Sequence, residues 1–153
     1  MQKTIDNSGV YILEIYAPSS FSIGIKKYAG RIFKSGYYYY TGSAQKNLKQ
    51  RIERHLRKKK KKHWHIDHLT AYKSAEIKRI FILLKKKKFL ECRISNQISK
   101  ITGVAVAAGG FGNSDCDQCE SHLYYSSRRL NQSHFTSRYQ STVCLIPSSR
   151  EIF

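Results

Sequence analysis

The chain has 153 residues, 41% of them apolar, a size and composition that suit one domain with a core of its own. Lys and Arg number 28 against 10 Asp and Glu, a formal net charge of +18, so the partner to expect is a polyanion such as a nucleic acid. No uninterrupted apolar run is long enough to cross a bilayer and no signal-peptide pattern opens the sequence, so the expectation is a cytoplasmic protein with no membrane partner and its four cysteines reduced. Val10 to Tyr16 reads as a first strand, and Phe21 to Ile25 alternates as a second after the turn at Ala17-Pro18-Ser19-Ser20. Tyr37-Tyr38-Tyr39-Tyr40 continues as strand, with Tyr38 and Tyr40 on one face and Tyr37 and Tyr39 on the other.

Gly42 breaks that strand, and Ser43 is placed to cap a helix from about Ala44 to Arg57. Leu48, Ile52 and Leu56 form its buried stripe, Arg51 and His55 border the stripe, and Lys49 and Arg54 turn toward water. A basic run follows at Arg57, Lys58, Lys59, Lys60, Lys61 and Lys62, then a short helix or structured loop over His63 to Leu69. Ile77 to Leu84 reads as a strand, followed by Lys85, Lys86, Lys87 and Lys88. Phe89 to Ile101 is a helix with a Leu90, Ile94, Ile98, Ile101 stripe and Glu91 in its first turn. Leu123 to Tyr125 is the last expected strand. Residues 127–153 lose periodicity and read as a C-terminal extension, either partly disordered or ordered by packing on the domain.

Gly9-Val10-Tyr11 on a strand, and Tyr40-Thr41-Gly42 running into a helix that carries Arg51 and His55, are followed by Glu91 early in a later helix. This ordered set resembles the GIY-YIG endonuclease superfamily. The His63-to-Asp67 and Gly110-to-Leu123 segments resemble its Uri-type prokaryotic branch. The resemblance covers about Gly9 to Tyr125 and implies a small α/β nuclease domain over residues 9–126. Its central sheet is mainly antiparallel and flanked by helices, with a hairpin inserted between the two signature halves. Thr41 stands where the second triplet has isoleucine, and the interval from Tyr11 to Tyr40 is longer than is typical.

The resemblance implies a metal-dependent endonuclease that hydrolyses phosphodiester bonds in DNA, branched or damaged DNA included, with RNA left open. Such chemistry needs an activated water, charge neutralisation at the phosphate and help for the leaving oxygen. Of the chain's ten carboxylates, Glu91 is the one placed to hold Mg2+ or Mn2+. Arg51 would hold the scissile phosphate through its planar fork. Tyr11 and Tyr40 would bring hydroxyls to the water, with Tyr11 or His55 as the base and His65 as a secondary candidate. The two lysine runs would hold the flanking backbone. The alternative is a non-catalytic nucleic-acid-binding protein that keeps the fold and the basic surface.

Bland readings stand beside these: tyrosines that pack, a helix-capping Glu91, an Arg51 whose stem covers the apolar edge, lysines that are only solvated. Separately, Cys116-x-x-Cys119-x-x-His122 has a spacing that permits three zinc ligands, with Cys92 or Cys144 as a fourth. Its competing reading is a tight loop in which the cysteines pack. Asn113 and Asp115 are possible supports for the site.

Overall fold

The computed structural model describes residues 7–84, 86–113, 117–137 and 142–147. Its centre is a six-stranded antiparallel sheet in the order β4-β5-β2-β1-β3-β6. The strands are β1 (Gly9–Ala17), β2 (Gly36–Ala44), β3 (Glu76–Leu84), β4 (Ala105–Val106), β5 (Leu123–Ser126) and β6 (Val143–Leu145). Among the described residues four α-helices flank it, α1 (Leu48–Leu56), α2 (His65–Thr70), α3 (Leu90–Ser99) and α4 (Ser133–Thr136). The small α/β class expected from the sequence is the one observed.

β1 is central and covered on both faces, which is why Val10 to Ile15 are all buried, without the polar alternation of a half-exposed strand. The alternation sorts its side chains into two cores. Tyr11, Leu13 and Ile15 join Tyr38 and Tyr40 of β2, Ile80 and Ile82 of β3, Leu48 and Ile52 of α1, and Ile66 and Leu69 of α2. Val10 and Ile12 join Tyr39, Phe81, Leu83, the Leu90-Ile94-Ile98 stripe of α3, and Phe135 of α4. The tyrosine run thus divides between the faces as its period of two requires.

Two expectations change, and one of two alternatives is selected. The insert between β1 and β2 forms no strand over Phe21 to Ile25. One isolated bridge, Phe21 to Phe33, closes it, with a single 3-10 turn at Lys26–Tyr28. Its aromatic residues gain more by burial, Phe21, Tyr28 and Phe33 entering the first core together, than by pairing with a neighbour that is absent. Ser43 does not cap α1, because β2 runs on to Ala44, and the helix begins only after Asn47, which adopts the left-handed conformation (φ 59°). The cap comes from a distant segment: the Asn7 carbonyl accepts from Leu48 N–H at 3.0 Å and its side-chain Oδ1 from Lys49 N–H at 2.9 Å. Finally, the described part of the 127–153 extension packs on the sheet. Leu130 and Phe135 enter the second core and β6 pairs along the edge of β3.

Candidate active site

α1 lies on one face of the sheet and α3 on the other, and they meet at the end where β1 begins and β2 finishes. There a cleft of about 860 Å³ is lined by Tyr11 of β1, Tyr40 of β2, Arg51 and His55 of α1, and Glu91 of α3. All five residues singled out in the sequence therefore line one cleft. His65 lines it as well, along with Trp64, Lys88, Asn113 and His122.

Strand register explains the tyrosine pair. Tyr11 lies opposite Gly42, and Tyr40 opposite Leu13, so the two rings sit diagonally on neighbouring strands of one face. Gly42 is needed because the Tyr11 ring lies across it: a Cβ there would stand 2.6 Å from the phenol oxygen. Gly112, in the left-handed region at φ 72°, does the same for Tyr40, whose ring would be 2.8 Å from an added Cβ. The glycine of the Tyr-Thr-Gly triplet is thus a packing partner of the tyrosine in the first triplet.

Tyr11 Oη is 2.7 Å from His55 Nε2, and its hydroxyl also hydrogen-bonds the Arg51 side chain. Burial, reinforced by the nearby Tyr40 and Glu91, holds the Tyr11 phenol well above its ordinary range, with Arg51 pulling the other way. Tyr40 is raised too, by burial and then by Glu91. His55 is pushed down to about 3 by burial and by the charge of Lys60, so at neutral pH its ring is uncharged. Arg51 donates from Nη1 to the Ser43 carbonyl at 2.5 Å and lies against the Trp64 ring, 4.9 Å from its centroid. Tyr11, His55 and Arg51 are therefore joined, and the Tyr40 ring stands edge-on to His55 at 6.3 Å between centroids.

His65 has a positioning contact instead: its Nδ1 accepts from Gly112 N–H at 3.1 Å, and its ring packs on Phe111. Arg54 does not turn toward water. It forms a forked pair with Asp67 at 2.6 and 2.8 Å, because Asp67 is fully buried and needs the charge. Burial alone would raise the Asp67 carboxyl. The Arg54 bonds and the backbone N–H groups of His63 and Trp64 outweigh it and bring the group down to about 2.

The lysine run splits. Lys58 Nζ donates to the carbonyls of Thr70, Tyr72 and Ala75, and Lys60 Nζ donates to those of Arg54 and His55 and to Thr70 Oγ1. These two ammoniums close off the ends of α1 and α2, so their expected contact with phosphates is corrected. Burial brings Lys60 down to about 8. Arg57, Lys59, Lys61 and Lys62 keep to the surface, and with Arg54, His63 and Trp64 they line a second hollow of about 480 Å³ next to the cleft. Lys86, Lys87 and Lys88 are exposed before α3, Lys88 at the cleft, while Lys85 lies outside the described residues.

The cysteine spacing also resolves differently. Cys92 Sγ, Cys119 Sγ and a ring nitrogen of His122 lie within 4.8 Å of one another, all three residues buried, and could hold a metal ion. Cys116 and Asp115 lie outside the described residues, and Cys144 sits on β6 against the second core. Asn113 lines the cleft and donates to the Cys119 carbonyl at 2.7 Å.

Trp64 and Asp67 are the contributors to which sequence reasoning gave no role. Trp64 faces both hollows with the guanidiniums of Arg51 and Arg54 at 4.9 and 4.6 Å from its ring centroid. Its signals were its place in the His63-to-Asp67 segment and being the sole tryptophan, set between histidines after a basic run. No helix among the described residues is long and apolar enough to cross a membrane. No curated protein and no solved structure matches the chain. Residues 10–144 match the family described as Domain of unknown function DUF123, and the chain belongs to that family.

Proposed function

We propose that this member of the DUF123 family is a divalent-metal-dependent endonuclease that hydrolyses phosphodiester bonds in DNA. The observation that carries the reading is the convergence of Tyr11, Tyr40, Arg51, His55 and Glu91, from four separate elements, on one cleft of a strongly basic protein.

The donor set suits a hard cation: a carboxylate and two phenol oxygens line the same wall. Held at Glu91, Mg2+ or Mn2+ would supply Lewis acidity at the phosphate and stabilise the departing oxygen. Arg51, the planar donor beside Tyr11, takes a non-bridging phosphate oxygen, and Lys88, Lys59, Lys61 and Lys62 hold the flanking backbone.

Tyr11 is the better base of the two candidates. A ring pushed down to about 3 gains little by accepting a proton, and Lys60, Arg54 and Arg51 all oppose its charging. As a donor, however, neutral His55 can point Nε2–H at the Tyr11 oxygen, 2.7 Å away. Its Nδ1, buried without a hydrogen-bond partner, is then a bare lone pair, the less costly of the two orphans. The Tyr11 oxygen so receives bonds from His55 and Arg51, which favour its ionised form against the burial that opposes it. With its phenol proton first released to solvent, Tyr11 takes a proton from water, the water oxygen bonds phosphorus, the far P–O bond breaks, and the leaving oxygen takes a proton from solvent. Tyr40 presents the second hydroxyl to the water.

The test is cleavage of plasmid and branched DNA in Mg2+ or Mn2+ by wild type, Glu91→Ala and Arg51→Ala. Loss of cleavage in both variants supports the reading. Cleavage that survives both assigns the activity elsewhere. Binding without cleavage by the wild type in every metal tried replaces the enzyme with a nucleic-acid-binding protein.

A further inference from the structure

Almost every aromatic ring among the described residues is buried or half-buried. Phe21, Phe33, Phe81, Phe111 and Phe135 all lie in a core, and no described tyrosine is exposed. Trp64 and Phe89 are the exceptions, 36% and 67% exposed. A ring left in water forgoes the stabilisation that burial brings. One such ring alone would need no explanation. Both, however, line the cleft that Tyr11, Arg51 and Glu91 line. Trp64 stands just before α2 and Phe89 just before α3, so two separate elements bring them to it.

We infer that the DNA taken by this cleft is single-stranded, its unpaired bases stacking on Trp64 and Phe89. The inference rests on the proposal that the cleft binds DNA, and it adds the pairing state of the strand. In a duplex each base already stacks on its neighbours, and a side chain can reach a base face only by forcing a step apart. An unpaired base offers its faces freely, and stacking on an aromatic ring is tolerant of sequence.

Charge is placed to hold the backbone where the rings would hold the bases. Lys88 adjoins Phe89 in the cleft. Trp64 lines both the cleft and the second hollow, which Arg57, Lys59, Lys61 and Lys62 also line. A strand leaving the cleft across Trp64 thus passes from an aromatic ring onto a cluster of cations, the pairing of stacking with charge that sequence-independent single-strand sites use. Trp64 is also fixed in place. Its backbone N–H donates to Asp67 Oδ2 at 2.8 Å, and the Arg51 and Arg54 guanidiniums lie against its ring. A ring held before binding loses little freedom on stacking.

Trp64 is the sole tryptophan, so intrinsic fluorescence reads this position alone. The experiment titrates the full-length protein, in EDTA so that no cleavage intervenes, with an unstructured DNA strand of about 16 nucleotides and with the blunt duplex of the same sequence. The strand should quench Trp64 and bind about tenfold or more tightly than the duplex. By anisotropy of labelled DNA, Phe89→Leu and Trp64→Leu should each weaken strand binding by about 5- to 100-fold. Phe89→Tyr and Trp64→Phe, which keep a ring, should stay within about threefold of wild type. Should Trp64→Leu fail to fold, Phe89→Leu decides, because its side chain is exposed. Equal or tighter binding of the duplex, a strand that binds without quenching Trp64, or leucine variants that bind the strand like wild type would each overturn the inference. Preferred binding of the strand with Trp64 quenched, but no cleavage in any metal, would uphold it and remove the nuclease. Cleavage of duplex DNA with no response at Trp64 would remove the inference and leave the nuclease.

Discussion

Glu14 and Glu91 are both carboxylates set among arginines and tyrosines, yet their surroundings differ. Glu14 lies in the middle of β1 and is fully buried. It accepts from Arg79 Nε at 2.8 Å, Arg129 Nε at 3.0 Å and Tyr39 Oη at 2.8 Å. The Tyr39 oxygen in turn accepts from Leu130 N–H, and Arg79 donates to the Leu130 carbonyl. Apart from Arg129, whose side chain is about half exposed, the members of that network are buried, and it ties the C-terminal segment to the sheet. Glu91 lies with Arg51, Tyr11 and Tyr40 on the wall of an open cleft. Similar groups are closed upon one another around Glu14 and border an opening around Glu91.

The largest effect should come from opening the closed network. Glu14→Ala leaves Arg79 buried beside no carboxylate and should cost about 3–5 kcal/mol, read as loss of the folded state in urea titration. An unchanged midpoint would remove the distinction between the two regions.

In the cleft, the expected loss is in rate and not in stability. Arg51→Lys keeps the charge but not the fork, and cleavage should fall by about 10²–10³-fold with little change in melting temperature. His55 sharpens the point: His55→Gln, which keeps an N–H, should retain more cleavage than His55→Phe. Equal loss in both would move the base from Tyr11 to His55.

A smaller effect concerns acid. His55 titrates near 6.5 in the unfolded chain and at about 3 when folded, so between those values the unfolded state binds the extra proton. Its contribution to stability is complete above about 6.5 and is lost as pH falls, by about 1.4 kcal/mol per pH unit. Denaturation at pH 7, 6 and 5 should show that slope in wild type and a flatter one in His55→Phe. The smallest effect is at Thr41, whose buried hydroxyl has no hydrogen-bond partner. Thr41→Val should be neutral or stabilising by up to about 1 kcal/mol, and a clear destabilisation would reveal a role for that hydroxyl.

Legibility in the sequence followed the range of the forces involved. Strands β1, β2 and β3 and the α3 stripe were visible because period and side-chain size express local geometry. β4 and β6, two and three residues long, were not, since only a neighbouring strand makes them strands at all. The α1 start was misplaced for the same reason, its cap being Asn7 from the far side of β1. The five cleft residues could be named from the family resemblance, but the roles of Lys58 and Lys60 could not. A lysine in a basic run looks the same whether its ammonium meets solvent or three carbonyls.

By itself, then, the sequence determined the strong net charge, the sorting of alternate side chains into two faces, and which residue types were available for chemistry. Tertiary structure alone decided that Gly42 yields to the Tyr11 ring, that Arg54 answers Asp67, and that Cys92 joins Cys119 and His122. Periodicity acts between residues a few positions apart, whereas these contacts require segments tens of residues apart to be brought together by burial of the two cores.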